Sequence, residues 1–313
     1  MKILVTGGAG FIGSHIVERY HKENHEVHVI DNFSTGKREN IDFLPNEYIY
    51  NFEVQNRKLF SKLLEKEDYD IVIHLAAVVS VVETIENPLY SQSVNNNATL
   101  NILESIRQHT GNLKKFIFAS SAAVYGNDPV LPKTIKSSIN PESPYAIQKF
   151  FSEQYGVIYN KLYDIPTTSL RFFNVYGPRQ NPESAYSGVI SIMNKCFSED
   201  DAFTFYGDGN QTRDFVYIMD LVDAIDIVIN NSKTNGKVYN LGTGNSTSLL
   251  DIYNEFRRVY GRDIKYSFKP ERPGDIRESY ADISELKALG YSPRYSINEG
   301  LEEYIYSEKK ESY

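Results

Sequence analysis

The chain has 313 residues, 41% hydrophobic and 24% charged, enough for one large domain or two joined lobes. Lysine and arginine number 33 against 41 aspartate and glutamate, a formal charge of −8. Without a basic run, neither a nucleic-acid surface nor an anionic-membrane anchor is expected, so any phosphate must be held by a few local groups. Cys196 is the sole cysteine, which excludes an intramolecular disulfide and a thiolate cluster, and no metal is expected. The opening apolar run is too short for a signal peptide and no stretch approaches a membrane span, so a cytoplasmic protein is expected.

Ile3-Leu4-Val5 reads as a short buried strand running into Thr6-Gly7-Gly8-Ala9-Gly10-Phe11-Ile12-Gly13, followed by a helix with Ile12, Ile16, Val17 and Tyr20 on one side. Strand, glycine turn and helix occur in the order of a dinucleotide fingerprint. Glycines allow the tight turn and the approach of a pyrophosphate, whose charge meets free N–H groups at the helix start. A second strand, Glu26–Ile30, ends at Asp31, 18 residues past Gly13, near the spacing of a ribose-hydroxyl ligand. The Asp31 carboxylate would repel a 2′-phosphate, so NAD is expected rather than NADP, although Lys37 and Arg38 follow closely.

Further strands are predicted at Tyr48–Phe52, Ile71–His74, Phe116–Ala119 and Thr167–Arg171, with helices at 57–66, 89–109 and 145–162. This alternation predicts an α/β fold, a doubly wound parallel sheet of Rossmann type, with ligands at the carboxyl ends of the strands. Those ends carry Glu53 and Val54, then Leu75-Ala76-Ala77, then Ser120-Ser121, then Phe172 through Arg179. His74 reads as a structural side chain ending its strand.

The last helix opens with Ser143, a good N-cap, and Pro144, tolerated at the first helical position. Tyr145 and Lys149 are then four apart on one face, and an ammonium beside a phenol stabilises the phenolate. With 24 tyrosines the pattern also arises by chance, and Tyr306 with Lys310 is a second match. Beyond Tyr176 helices shorten and turn signals multiply. Strands are predicted at Phe203–Tyr206, Phe215–Tyr217, Val238–Leu241 and Lys265–Phe268, with polar loops at Tyr206–Asp214 and Arg272–Arg277. The expected division is a dinucleotide-binding domain, 1–175 with 215–245 returning to it, and a smaller C-terminal substrate lobe, 176–214 and 246–313.

The glycine turn, Ser120-Ser121 before Tyr125-Gly126, Tyr145 with Lys149, Arg171 through Gln180, and Gly207-Asp208-Gly209 through Arg213-Asp214 together resemble the extended short-chain dehydrogenase/reductase family, specifically its nucleotide-sugar epimerases. The similarity runs from Lys2 to about Glu303. It implies that Tyr145 takes the proton of the sugar 4-hydroxyl while hydride passes to NAD, that Lys149 lowers the tyrosine pKa, and that Ser121 binds and relays the 4-oxygen. It also implies a cofactor cleft of Gly7, Gly10, Phe11, Ile12, Gly13, Asp31, Asn32, Gly36, Val54, Leu75, Ala76, Ala77 and Phe173, with Tyr145 and Lys149. Glu53 stands where relatives often have Asp. For the substrate, the resemblance implies Asn174, Arg213 and Arg272 at the diphosphate and sugar, Tyr206 and Asp275 at the nucleoside, and Val189 and Ser279 at the sugar.

Sugar dehydratases of the family carry an Asp-Glu pair after the catalytic hydroxyl residue, whereas Ser121 is followed by Ala122 and Ala123. Epimerisation at C4 is therefore the expected reaction, on UDP-glucose/UDP-galactose and, because Ser279 leaves room at C2, on UDP-GlcNAc/UDP-GalNAc. Val79 departs from the small or polar residue of many relatives. Another nucleotide-sugar enzyme (uronate epimerase, decarboxylase or reductase) and a non-catalytic NAD-sensing module are the alternatives. A homodimer is implied through the helices 89–109 and 145–162, where Val157, Ile158 and Leu162 fit either such a bundle or the sheet.

Overall fold

The computed structural model describes residues 1–182, 188–271 and 276–311. In chain order its elements are β1 (Lys2–Thr6), α1 (Phe11–Lys22), β2 (Glu26–Ile30), β3 (Ile49–Tyr50), α2 (Arg57–Lys66), β4 (Ile71–His74), α3 (Val81–Glu86), α4 (Pro88–Gln92), α5 (Ala98–His109), β5 (Lys115–Ser121), α6 (Pro144–Tyr163) and β6 (Thr167–Phe172). They continue as β7 (Asn174–Tyr176), α7 (Val189–Glu199), β8 (Phe203–Tyr206), β9 (Thr212–Arg213), β10 (Phe215–Tyr217), α8 (Ile218–Ile229), β11 (Lys237–Leu241), β12 (Thr247–Ser248), α9 (Leu249–Tyr260), β13 (Tyr266–Lys269), β14 (Glu278–Ser279), α10 (Ser284–Lys287) and α11 (Ile297–Glu311).

The central sheet has seven strands in the order β11-β6-β5-β4-β1-β2-β3, and β3, β2, β1, β4 and β5 pair in parallel. Ile3-Leu4-Val5, Ile71-Val72-Ile73 and Phe116-Ile117-Phe118 are buried as continuous apolar runs. That is the signature of strands covered on both faces. From β1 the chain winds outward to β2 and β3, then returns to β4 on the other side. The order therefore reverses between β1 and β4, and a crevice opens beyond their carboxyl ends at Gly7 and Leu75.

Three elements differ from expectation. The third strand is only Ile49–Tyr50, at the sheet edge. The long helix over 89–109 is α4, a π-helical turn at Ser93–Asn97, and α5. The turn is where side chains enter the helical ladder: the Asn95 carbonyl accepts from Thr99 Oγ1 at 2.7 Å and Ser152 Oγ at 2.9 Å. Helix α3, which was not anticipated, starts on a Ser80 cap whose Oγ accepts from the Glu83 amide at 2.8 Å.

The chain packs as two compact units, Met1–Gly126 with Ile139–Arg171 and Val222–Tyr239, and Asn127–Ser138 with Phe172–Leu221 and Asn240–Tyr313. Against the expected 215–245, the segment that rejoins the first unit is 222–239, and residues 127–138 pack with the second. The second unit holds the pairs β10-β7 and β13-β8 and the three-stranded β12-β9-β14. Its aromatic core stacks Phe197 on Phe256 and sets Phe205 against Tyr253. No helix among the described residues is long and apolar enough to cross a membrane.

Candidate active site

At the crevice of the first unit, only glycine satisfies the turn after β1. Gly7 has φ +71°, and a Cβ there would lie 2.8 Å from the Ala76 amide nitrogen. A Cβ on Gly13 would lie 2.1 Å from the Gly7 carbonyl oxygen. Gly10 is the N-cap of α1 and supplies no side-chain cap, so the first-turn amides around Phe11 and Ile12 are left for an anion. Asp31 ends β2, buried, with Oδ2 accepting from the Ala9 amide at 2.9 Å and Oδ1 from Phe33 at 2.8 Å. Burial raises its pKa and these bonds oppose the rise. Asn32 is exposed, and a Cβ on Gly36 would stand 3.0 Å from Asp31 Oδ2. Lys37 pairs with Glu39, while Arg38 reaches the Ile41 carbonyl, Asp42 and Asn46. Both cations thus have partners other than Asp31.

Across the crevice, the Leu75 and Ala76 amides each donate to the Thr6 carbonyl at 3.1 Å. His74, expected to be structural, is buried between Thr6 Oγ1 at 2.7 Å and Thr99 Oγ1 at 3.0 Å. Burial, with the Lys149 charge nearby, lowers its pKa to about 3, so it is neutral at physiological pH. Ala77 is half-buried, Val54 is buried and Val79 is exposed.

Helix α6 begins as predicted, with Ser143 Oγ accepting from the Ala146 amide at 3.2 Å and Pro144 in its first turn. One turn on, Lys149 is buried, donates to the Ala119 carbonyl at 2.8 Å, and lies 5.7 Å from the Tyr145 ring centre. The half-buried Tyr145 has the Ser121 hydroxyl close enough to lower its pKa, and Ser121 Oγ accepts from the Ala123 amide at 3.2 Å. Tyr145, Lys149 and Ser121 thus come together. The expected lowering of the tyrosine pKa is not found in the protein alone. Burial raises it, the Ser121 hydroxyl only tempers this, and burial also lowers Lys149 to about 8. Ser120, given no firm role by the sequence, donates to Glu153 at 2.8 Å. Glu153 was passed over and Arg171 was named only as the start of a motif, yet the i, i+4, i+8 spacing of Tyr145, Lys149 and Glu153 was a readable signal.

In the second unit, Phe173 is buried and its amide donates to the Leu241 carbonyl at 3.0 Å. Asn174 is exposed at the start of β7, Val189 opens α7, and Tyr206 ends β8 half-buried. Arg213 on β9 lies in register with Ser279 on β14, so these two predicted ligands are neighbours. Asp214, which the sequence left without a role, ties this corner together. Its carboxylate accepts from the Thr243 amide and hydroxyl, both at 2.7 Å, the Gly244 amide at 2.9 Å and the Ala281 amide at 3.1 Å. Arg272 and Asp275 lie outside the described residues. Among the described residues one group of metal-ligating type occurs, Glu26, His28 and Glu67. The Lys2 ammonium pairs with both of its carboxylates, 2.9 Å from Glu26 and in contact with Glu67.

Residues 3–242 match the model of the NAD dependent epimerase/dehydratase family. The chain belongs to this family. It is an NAD-dependent enzyme, and the first unit fits that cofactor, with no side-chain cap on the first turn of α1, no room for a side chain at Gly13, and no cation paired with Asp31 among the described residues. Among solved structures, a Thermotoga maritima UDP-glucose 4-epimerase with UDP-glucose matches at TM-score 0.93 and 33% identity, covering 100% of both chains. A Methanobrevibacter ruminantium UDP-N-acetylglucosamine 4-epimerase, in complex with UDP-N-acetylmuramic acid, matches at TM-score 0.92 and 35% identity over 99% of this chain and 98% of that one. A Bacillus cereus UDP-glucuronic acid 4-epimerase, with UDP-glucuronic acid and NAD, matches at 0.89 and 34% over 100% of both. This family member is thus similar to 4-epimerases of three different UDP-sugars.

Proposed function

We propose that the protein is a UDP-hexose 4-epimerase interconverting UDP-glucose with UDP-galactose and UDP-GlcNAc with UDP-GalNAc. The carrying observation is Lys149, anchored on the Ala119 carbonyl at 2.8 Å and 5.7 Å from the Tyr145 ring centre, with the Ser121 hydroxyl close enough to the phenol to act on its pKa. In this reading Gly7, Gly10, Phe11, Ile12 and Gly13 hold the NAD pyrophosphate and Asp31 a ribose hydroxyl, with Asn32, Gly36, Val54, Leu75, Ala76, Ala77 and Phe173 completing the cofactor contacts. Bound NAD supplies the acceptor and later the donor of the C4 hydride. Tyr145 accepts the proton of the 4-hydroxyl, with Ser121 bonded to the same oxygen, and Lys149 favours the phenolate. The 4-keto sugar turns over on its anchored diphosphate, and Tyr145 returns the proton to the 4-oxygen. Asn174, Arg213 and Arg272 hold the diphosphate and sugar, Tyr206 and Asp275 border the nucleoside, and Val189 and Ser279 border the sugar. Guanidinium forks suit phosphate oxygens. Ala122 and Ala123, following Ser121, offer no acid for eliminating water.

We also propose that two copies pair through α4 and α6. Leu89 is 86% exposed and Leu162 61%, and Ile147, Phe151 and Ile158 are exposed with them. Ile158 and Leu162 thus point away from the sheet, and an apolar face of this kind marks an interaction site.

NMR of the purified protein with UDP-galactose, UDP-GalNAc and UDP-glucuronic acid in turn, without added cofactor, tests the reaction. Conversion of the first two is expected, with Tyr145→Phe losing at least a hundredfold in rate while keeping its NAD. Conversion of the uronate alone overturns the substrate assignment. Conversion of none, with NAD bound, favours a sensing module.

A further inference from the structure

Tyr145, Lys149 and Glu153 are spaced four apart along α6, and each meets one of three successive residues ending β5. Tyr145 lies close enough to the Ser121 hydroxyl for it to act on the phenol's pKa, Lys149 donates to the Ala119 carbonyl, and Glu153 Oε2 accepts from Ser120 Oγ at 2.8 Å. The third contact involves no group assigned to the reaction, and it is buried one residue before Ser121.

A carboxylate buried this deeply is tolerated only against a partner that satisfies its oxygens. Arg171 on β6 is that partner, with Nε donating to Glu153 Oε2 at 2.8 Å and Nη2 to Oε1 at 2.7 Å. The fork leaves Nη1, which donates to Tyr125 Oη at 2.8 Å. Tyr125 closes the 3-10 turn Ala122–Tyr125, whose N-cap is Ser121. Ser120, Tyr125, Glu153 and Arg171 are each no more than 3% exposed. One guanidinium thus grips both flanks of Ser121, through Glu153 and Ser120 on one side and Tyr125 on the other.

We propose that Arg171 and Tyr125 are positioning residues, which fix the Ser121 hydroxyl against the Tyr145 phenol through the two arms of the buried guanidinium. Neither touches the reacting atoms. The assay of this inference rests on the 4-epimerase reading, and its structural readout does not.

Tyr125→Phe deletes one hydroxyl, and Arg171→Lys keeps the charge beside Glu153 but loses the second arm. Each is expected to lower kcat about tenfold, since small misplacements of reacting groups are costly. KM for the UDP-sugar stays within about twofold and bound NAD is unchanged. The double variant falls no further than the worse single, as expected of residues sharing one contact. Amide hydrogen exchange over 119–126 quickens in both variants. A wild-type kcat in Tyr125→Phe, losses that multiply in the double variant, or a loss confined to KM would each overturn the proposal. Should Arg171→Lys fail to fold, Tyr125→Phe decides alone. If wild-type protein converts no UDP-sugar, the epimerase reading fails, and unchanged exchange over 119–126 would still overturn the positioning role.

Discussion

Lys115 and Lys149 are buried ammonium groups, and neither pairs with a carboxylate among the described residues. Lys115 donates to the Asn231 carbonyl at 3.1 Å, Thr234 Oγ1 at 2.8 Å and Asn235 Oδ1, and burial lowers its pKa to about 8. Between about pH 8 and the ordinary 10.5 the unfolded chain therefore holds more protons than the native one, so this group makes stability rise with pH across that window. Buried tyrosines such as Tyr20 and Tyr304, whose pKa values are raised, act with the opposite sign above pH 10. The comparison with a variant isolates the lysine. Urea denaturation of Lys115→Met should show a smaller gain, or a larger loss, than wild type between pH 7.5 and 10.5, by on the order of 3 kcal/mol. Parallel curves would sink the assignment. At this scale the Tyr145–Lys149 pair was legible, because four-residue spacing sets both on one helix face. The direction of the Tyr145 shift was not, because burial decides it.

Helix α6 shows how far local signals reach. Ser143 and Pro144 mark its start in the sequence and in the structure alike. Its interior glycine, Gly156, is placed so that an added Cβ would meet Ser169 Oγ at 3.5 Å and Thr167 Cβ at 3.7 Å, ordinary contacts. Gly156→Ala should therefore stabilise the protein by about 0.5–1 kcal/mol, through lower unfolded-state entropy and better helix propensity. A lowered melting temperature would show that the α6–β6 contact has no room for the methyl. The π-helical turn at Ser93–Asn97 was illegible for the converse reason. It exists because Asn95 is held from outside its helix, its amide donating to the Val78 carbonyl at 3.0 Å and to Gln148 Oε1 at 2.7 Å. No local propensity encodes those partners.

For the whole molecule, the exposed apolar face on α4 and α6 predicts self-association. Leu89→Glu combined with Leu162→Glu should convert a dimer to monomers in sedimentation velocity, with melting of the isolated chain little changed. A wild-type protein monomeric at micromolar concentrations would overturn the pairing. The face was ambiguous in sequence, because Val157, Ile158 and Leu162 are all apolar and only packing shows that Ile158 and Leu162 are exposed while Val157 is half-buried.

The sequence by itself determined the alternation of strands and helices, the glycine turn with Asp31 after it, and the candidate pair Tyr145 and Lys149, while Ser121 entered through the resemblance to a family. Each feature so determined depends on a local rule: apolar runs, steric freedom at glycine, or helical spacing. Only the tertiary structure decided the strand order that opens the crevice between β1 and β4 and the joining of β11 to β6. It also decided the buried bridge from Glu153 through Arg171 to Tyr125, and the knot of loops on Asp214. These join residues far apart in the chain, and their energies come from burying charge against a specific partner, which no local stretch of sequence contains.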